Sequence, residues 1–237
     1  MSEMNCLAGD GGQQVRTLVA SLERTTEPLT GLSPEPVPRQ VGRVGIIGAG
    51  SIGVGIAVRL LDAGIPVTLL DRERAALDKA LATARSHCQD AVSKGELAAD
   101  ARDRRLALLA GTLYFHHLKD CDLVIDTVAT EMGIKEKLFR LLDEVARPGA
   151  ILVTCGASGD VNHLARFTRR SGEVLGLQIL NPANERATWE FVPAKGTSEE
   201  TLATLMSLSG KLRKLTTVSS LRESSVTSDS APAQHLQ

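Results

Sequence analysis

Between residues 43 and 218 the chain alternates between two hydrophobic periods. Short continuous aliphatic runs occur at "RVGIIGAG", "IPVTLLD", "TLYFHH", "CDLVIDTVA", "AILVTCG", "EVLGLQILNP" and "TWEFVPA", with a last short one at "LTTVSS". Continuous rather than alternating apolar runs predict strands covered on both faces. Between them lie segments with the 3.6-residue period of amphipathic helices. The spacing predicts a helix at 51–64 stopped by Gly64, and a long one at 72–95 with apolar positions 77, 81, 84, 88 and 91. A partner helix at 97–110 turns back after Gly95. A helix at 133–149 carries Ile134, Leu138, Leu141 and Val145 on one face and ends at Pro148-Gly149. A short helix is expected at 160–170. Another at 198–214 begins at a Ser-x-x-Glu-like cap with Thr197 or Ser198 as capping residue. Strand–helix alternation of this kind predicts an α/β fold: a doubly wound, mostly parallel Rossmann sheet with a helical hairpin inserted after the second strand.

The two ends read differently. Residues 1–40 combine one short helix, "QQVRTLVASLER", with a stretch carrying Pro28, Pro34, Pro36 and Pro38, whose proline density predicts an extended linker. Residues 219–237 are Ser-rich with little to bury and read as a disordered tail. The folded unit is therefore expected over 41–218.

Composition narrows the function classes. With 27 Lys+Arg against 28 Asp+Glu the formal charge is −1, so no basic field points to nucleic acid. The longest uncharged run, 44–58, is glycine-rich and shorter than the roughly 18 apolar residues of a membrane span, so no membrane partner is expected. Cys6, Cys88, Cys121 and Cys155 have no CxxC spacing, which argues against a metal site and a disulfide framework and fits a reducing, cytoplasmic setting.

The stretch "VGIIGAGSIGVGIA" carries the clearest chemistry. Gly48, Gly50 and Gly53 form G-x-G-x-x-G between a strand and a helix. The first glycine makes the tight turn, the second admits a pyrophosphate and the third lets helix and strand pack closely. Ser51, Ile52 and Gly53 open the helix, whose free N–H groups and partial positive charge suit phosphates. Asp71 ends the second strand, 21 residues after Gly50, where an acid would hold the ribose hydroxyls. That acid favours NAD over NADP, although Arg72 and Arg74 beside it leave room for a 2′-phosphate.

These motifs, with the hairpin at 73–109, "DCDLVIDTVATEMGIKEKLFRLLDEVARPGAIL" and "VLGLQILNPA", resemble the NAD-binding domain of 3-hydroxyacyl-CoA dehydrogenases from about Arg43 to about Leu215. The Pro-rich lead-in loosely resembles the linker of multifunctional fatty-acid oxidation proteins. The resemblance implies an oxidoreductase of fatty-acid metabolism, with NAD as cofactor, acyl-CoA as partner, and an oligomer or partner chain as a further expectation. It places Lys135 near the nicotinamide end, Asn181 at the Asn-Pro turn, and Glu190 as partner of a catalytic histidine. Without the family, Lys135 reads as an exposed lysine at a helix start and Asn181 as a turn residue.

The departures from the family pattern bear on activity. Gln178 stands where the family has its histidine, Ala157 matches the serine that faces the substrate hydroxyl, and Thr130 matches a glutamate after the fourth strand. No counterpart of the family's helical domain, usually about 100 residues, is read after Leu215. Gln can hydrogen-bond but cannot take a proton. Two readings therefore stand: a catalytically impaired NAD-binding module, a pseudoenzyme, or an active oxidoreductase in which Glu190 or a partner chain completes the site. His163 reads as a surface or packed residue, His116 and His117 as the end of the third strand nearer the adenine side, and Cys155 as a small apolar filler. A weaker third reading is a structural or regulatory partner within an acyl-thioester pathway.

Overall fold

A computed structural model describes residues 36–156, 160–180, 188–212, 214 and 216–218, all within the compact unit Pro36–Gln237. The expected helix in 1–40 and the tail at 219–237 lie outside the described residues.

Five parallel-strand segments build the nucleus of the sheet. In chain order they are β1 (Val44–Ile47), β2 (Val67–Leu70), β3 (Leu109–Thr112), β4 (Leu123–Asp126) and β5 (Ile151–Cys155). β6 (Val174–Leu180) continues the parallel set, β7 (Thr188–Pro193) runs antiparallel to it, and β8 (Thr216–Val218) lies parallel to β7. The order across the sheet is β3-β2-β1-β4-β5-β6-β7-β8. Chain direction across the sheet reverses between β1 and β4, so the crevice of a doubly wound fold opens at their carboxyl ends.

Helices cover both faces. α1 (Ser51–Asp62), α2 (Arg74–Ser93), α3 (Ala99–Leu106) and α6 (Glu199–Lys211) lie between the strands of one half or the other. α4 (Met132–Val145) and the short α5 (Val161–Ala165) follow β4 and β5. One apolar cluster gathers Ile46, Leu60, Leu69, Leu77, Leu177, Phe191 and Leu205. A second joins Ile47, Leu118, Phe139, Leu142, Leu152 and Leu164. Strands β1, β2, β4 and β5 are buried at every position, as their uninterrupted aliphatic sequences predict. Among the described residues no helix is long and apolar enough to cross a membrane.

Three local expectations need correction. The third strand is Leu109–Thr112, and the expected strand residues Phe115–His117 belong to a 3-10 turn, Phe115–Leu118. Gly111 sits inside β3. A Cβ there would fall 2.7 Å from Leu81, so glycine allows the edge strand to lie against α2. α5 stops at Ala165, well short of the expected end. On α4 the buried stripe is Lys135, Phe139, Leu142 and Asp143, while Ile134 is 52% exposed. The true stripe carries two charged residues, which hid it from a reading based on apolar spacing. Ser198 is the cap of α6, its hydroxyl accepting from Thr201 N–H at 3.2 Å.

Candidate functional site: a dinucleotide cradle and a cross-strand Gln–Glu pair

The turn from β1 into α1 is set by its glycines. Gly48 has φ +103°, a conformation that side chains rarely adopt, and its N–H bonds Leu70 C=O at 2.8 Å. A Cβ on Gly53 would stand 2.0 Å from the Gly48 carbonyl oxygen, so the helix can approach the strand only because that residue is glycine. A Cβ on Gly50 would meet nothing within 4 Å. Gly50 caps α1 without a side-chain hydrogen bond, and the first-turn amides of Ser51, Ile52 and Gly53 have no acceptor within the helix. Fixed donors, a positive helix end and clear volume fit a pyrophosphate.

Asp71 stands beside this turn. Its Oδ2 accepts the Ala49 N–H at 2.8 Å and its Oδ1 the Glu73 N–H at 3.0 Å. The carboxylate therefore ties the glycine loop to the end of β2 and still has lone pairs for ribose hydroxyls. Of the two neighbouring arginines, Arg74 is turned away onto Asp78 at 2.9 Å. A groove of about 630 Å3 leads from Ala49, Gly50 and Ser51 between α1 and α2, where Arg59, Lys79 and His87 line it.

Across the switch point, the end of β4 holds a buried polar group in which Lys135 meets Asp126 and Thr154, two residues that sequence reasoning did not single out. Lys135, 2% exposed, puts Nζ 2.6 Å from Asp126 Oδ2 and donates to Thr154 Oγ1 at 2.9 Å. Thr154 in turn donates to Asp126 Oδ2 at 3.1 Å. Lys135, which the family resemblance places near the nicotinamide end and which would otherwise read as an exposed lysine of a helix start, is an interior cation. An acid closing an apolar strand nine residues before a lysine was the signal available for this pair. Next to it, burial pushes the Cys155 thiol up to about 12, with Asp126 adding to the rise and Lys135 opposing it. Such a thiol stays protonated and unreactive.

On β6 and β7, Gln178 lies directly opposite Glu190 in the antiparallel register. Both are half-buried. Opposed residues project from the same face with Cβ atoms about 5 Å apart. Two residues earlier, a Cβ on Gly176 would touch Val161 of α5 and Val192 of β7, so this is the α5 side of the sheet. Among the described residues no hydrogen bond joins Gln178 to Glu190. Asn181, Ala157 and Ser158 lie outside the described residues. None of the other histidines considered joins the pair: His163 Nε2 contacts Glu136 at 2.8 Å, and His117 Nδ1 contacts Thr112 Oγ1 at 2.6 Å beyond the β3 edge. Among the described residues the site holds an amide and a carboxylate, and no imidazole.

Comparison with known proteins agrees with this architecture. Residues 43–222 match the family model described as 3-hydroxyacyl-CoA dehydrogenase, NAD binding domain. A 3-hydroxybutyryl-CoA dehydrogenase of Clostridioides difficile is 31% identical over 173 residues, spanning 73% of this chain and 62% of that protein. A peroxisomal bifunctional enzyme of Danio rerio is 35% identical over 182 residues, spanning 75% of this chain and 24% of that protein. The crystal structure of M. tuberculosis FadB2 superposes with a TM-score of 0.72 at 32% identity, covering 78% of this chain and 65% of the other. The chain thus spans less than two thirds of the length of these relatives.

Proposed function

Because this chain belongs to the 3-hydroxyacyl-CoA dehydrogenase NAD-binding domain family, we propose that it is an NAD(H)-binding module whose dehydrogenase chemistry is impaired at Gln178. NAD is the cofactor of the family and fatty-acid metabolism its setting. Gly48, Gly50 and Gly53, with the amides of Ser51 and Ile52, would hold the pyrophosphate, and Asp71 the ribose. Bound there, the cofactor supplies hydride acceptance or donation. Oxidation of a secondary alcohol also needs a base to receive the hydroxyl proton. The Gln178 carboxamide can donate a hydrogen bond to a hydroxyl or carbonyl oxygen and so orient it, but it cannot carry the proton.

The observation that carries this reading is the register of β6 against β7, which puts Gln178 opposite Glu190. A histidine there would have a carboxylate to orient it and support its charge, whereas the amide opposite Glu190 carries no proton for that carboxylate to support. Loss of a general base lowers rate by roughly 10²–10⁴. NADH titration followed by assay with 3-hydroxybutyryl-CoA tests the reading. Binding with turnover depressed by that factor, and raised by Gln178→His, is the expected result. Native turnover matching a histidine-bearing relative would refute the impairment.

Acyl-CoA is the proposed partner. Support comes from the groove between α1 and α2, where Arg59 and Lys79 offer positive charge to phosphates. A second reading keeps the enzyme active, with Glu190 receiving the proton or a partner chain completing the site. The half-buried place of Glu190 opposite Gln178 favours it. Abolition of a measured native activity by Glu190→Gln would select that reading.

A further inference from the structure

Lys135 is an interior cation that the proton chemistry above does not use. Its partners among the described residues, Asp126 and Thr154, come from two neighbouring strands, and all three residues are at most 2% exposed. A hydrophobic trio of similar volume could fill the same space at equal or better stability. Stability alone therefore does not account for a buried ion pair here. What the pair adds is fixed geometry, because each polar atom must keep its partner in a medium of low dielectric.

That geometry leads to the glycine turn. Asp126 Oδ1 accepts the Val128 N–H at 3.0 Å, which fixes the turn leaving β4. Thr127 lies between these two residues. Its N–H bonds the Ile47 C=O at 2.8 Å, and its hydroxyl contacts the carbonyls of Ile47 and Gly48 at 2.9 and 3.2 Å. The same hydroxyl lies 2.7 Å from where a Cβ on Gly48 would be, so it sets the wall against which the left-handed residue turns. From these contacts we infer that Lys135, Asp126 and Thr154 are positioning residues for the pyrophosphate cradle, acting on Gly48 through Thr127. Lys135 then serves the cofactor by holding the loop in shape.

The inference rests on the proposed dinucleotide binding, so the test includes the unaltered protein. NADH and ADP are titrated calorimetrically into wild type, into Asp126→Asn with Lys135→Met, and into Thr127→Val, each checked for folding by thermal unfolding. The double variant removes both charges together and so leaves neither uncompensated. Both variants should weaken NADH and ADP by a common factor of about tenfold, since the cradle is shared by the two ligands. A merely structural role would shift the unfolding temperature and leave the affinity of the folded protein unchanged. Wild-type affinities in a folded double variant would overturn the inference. If the double variant does not fold, Thr127→Val decides, because it keeps the ion pair and cuts its link to Gly48: weakened binding supports the inference and unchanged binding overturns it. Wild type that binds neither ligand would overturn the dinucleotide reading and this inference with it.

Discussion

Gly50 and Gly53 are three residues apart and do opposite things. Gly53 is needed for packing, since a methyl group there meets the Gly48 carbonyl, whereas Gly50 is needed for empty space. Gly53→Ala should therefore lower thermal stability, by about 1–3 kcal/mol as for other overpacked sites, and lower NADH affinity as the loop shifts. Gly50→Ala should leave the unfolding temperature near wild type and still weaken NADH. Paired thermal melts and fluorescence titrations separate the two. Cys155 gives a second test at this scale. With its thiol pushed up to about 12 by burial, it should resist iodoacetamide at about pH 8 in the native protein and react on unfolding. Peptide mapping by mass spectrometry reads the difference. The glycine motif and Asp71 could be read from the sequence because each is demanded by local backbone chemistry at a fixed spacing. The contribution of Asp126 could not, because its role depends on Lys135 and Thr154 meeting it in three dimensions.

At the scale of elements, α4 separates what pattern reveals from what it hides. Its apolar spacing announced a helix, and the helix is there. The face was misassigned by about one residue, because Lys135 and Asp143 occupy buried positions that a hydrophobicity rule gives to aliphatics. Removing one partner of a buried ion pair typically costs about 3–5 kcal/mol, so Lys135→Met alone should lose that much in urea unfolding. Ile134→Ser, on the exposed side, should stay within about 0.5 kcal/mol of wild type. Asp143 predicts a pH dependence. Burial pushes its carboxyl up, but hydrogen bonds from Arg169 and Arg170 outweigh this and hold it below the usual range. A depressed native value adds stability above the unfolded pKa of about 3.9, and that stability is lost as pH falls through the native value. Asp143→Asn should flatten this acid limb in denaturation series below about pH 4. Helices α1 and α2 carry a further expectation: Arg59→Ala with Lys79→Ala should weaken CoA binding measured by calorimetry and leave ADP binding unchanged.

In the proposed function two tasks separate along the carboxyl edge of one sheet. The β1–β2 half carries the glycine turn and Asp71, and the β6–β7 half carries Gln178 and Glu190. The mostly parallel sheet and its burial followed from the alternating periods, since continuous apolar strands need cover on both faces. The antiparallel return of β7 did not follow from period. It is what converts a 12-residue separation between Gln178 and Glu190 into a cross-strand pair. The most direct measurement is the fluorescence of NADH on the purified protein before and after addition of acetoacetyl-CoA. The account predicts enhanced fluorescence on binding, followed by a signal that decays at least about 10²-fold more slowly than on a histidine-bearing relative. No enhancement, or a decay as fast as that relative's, would contradict it.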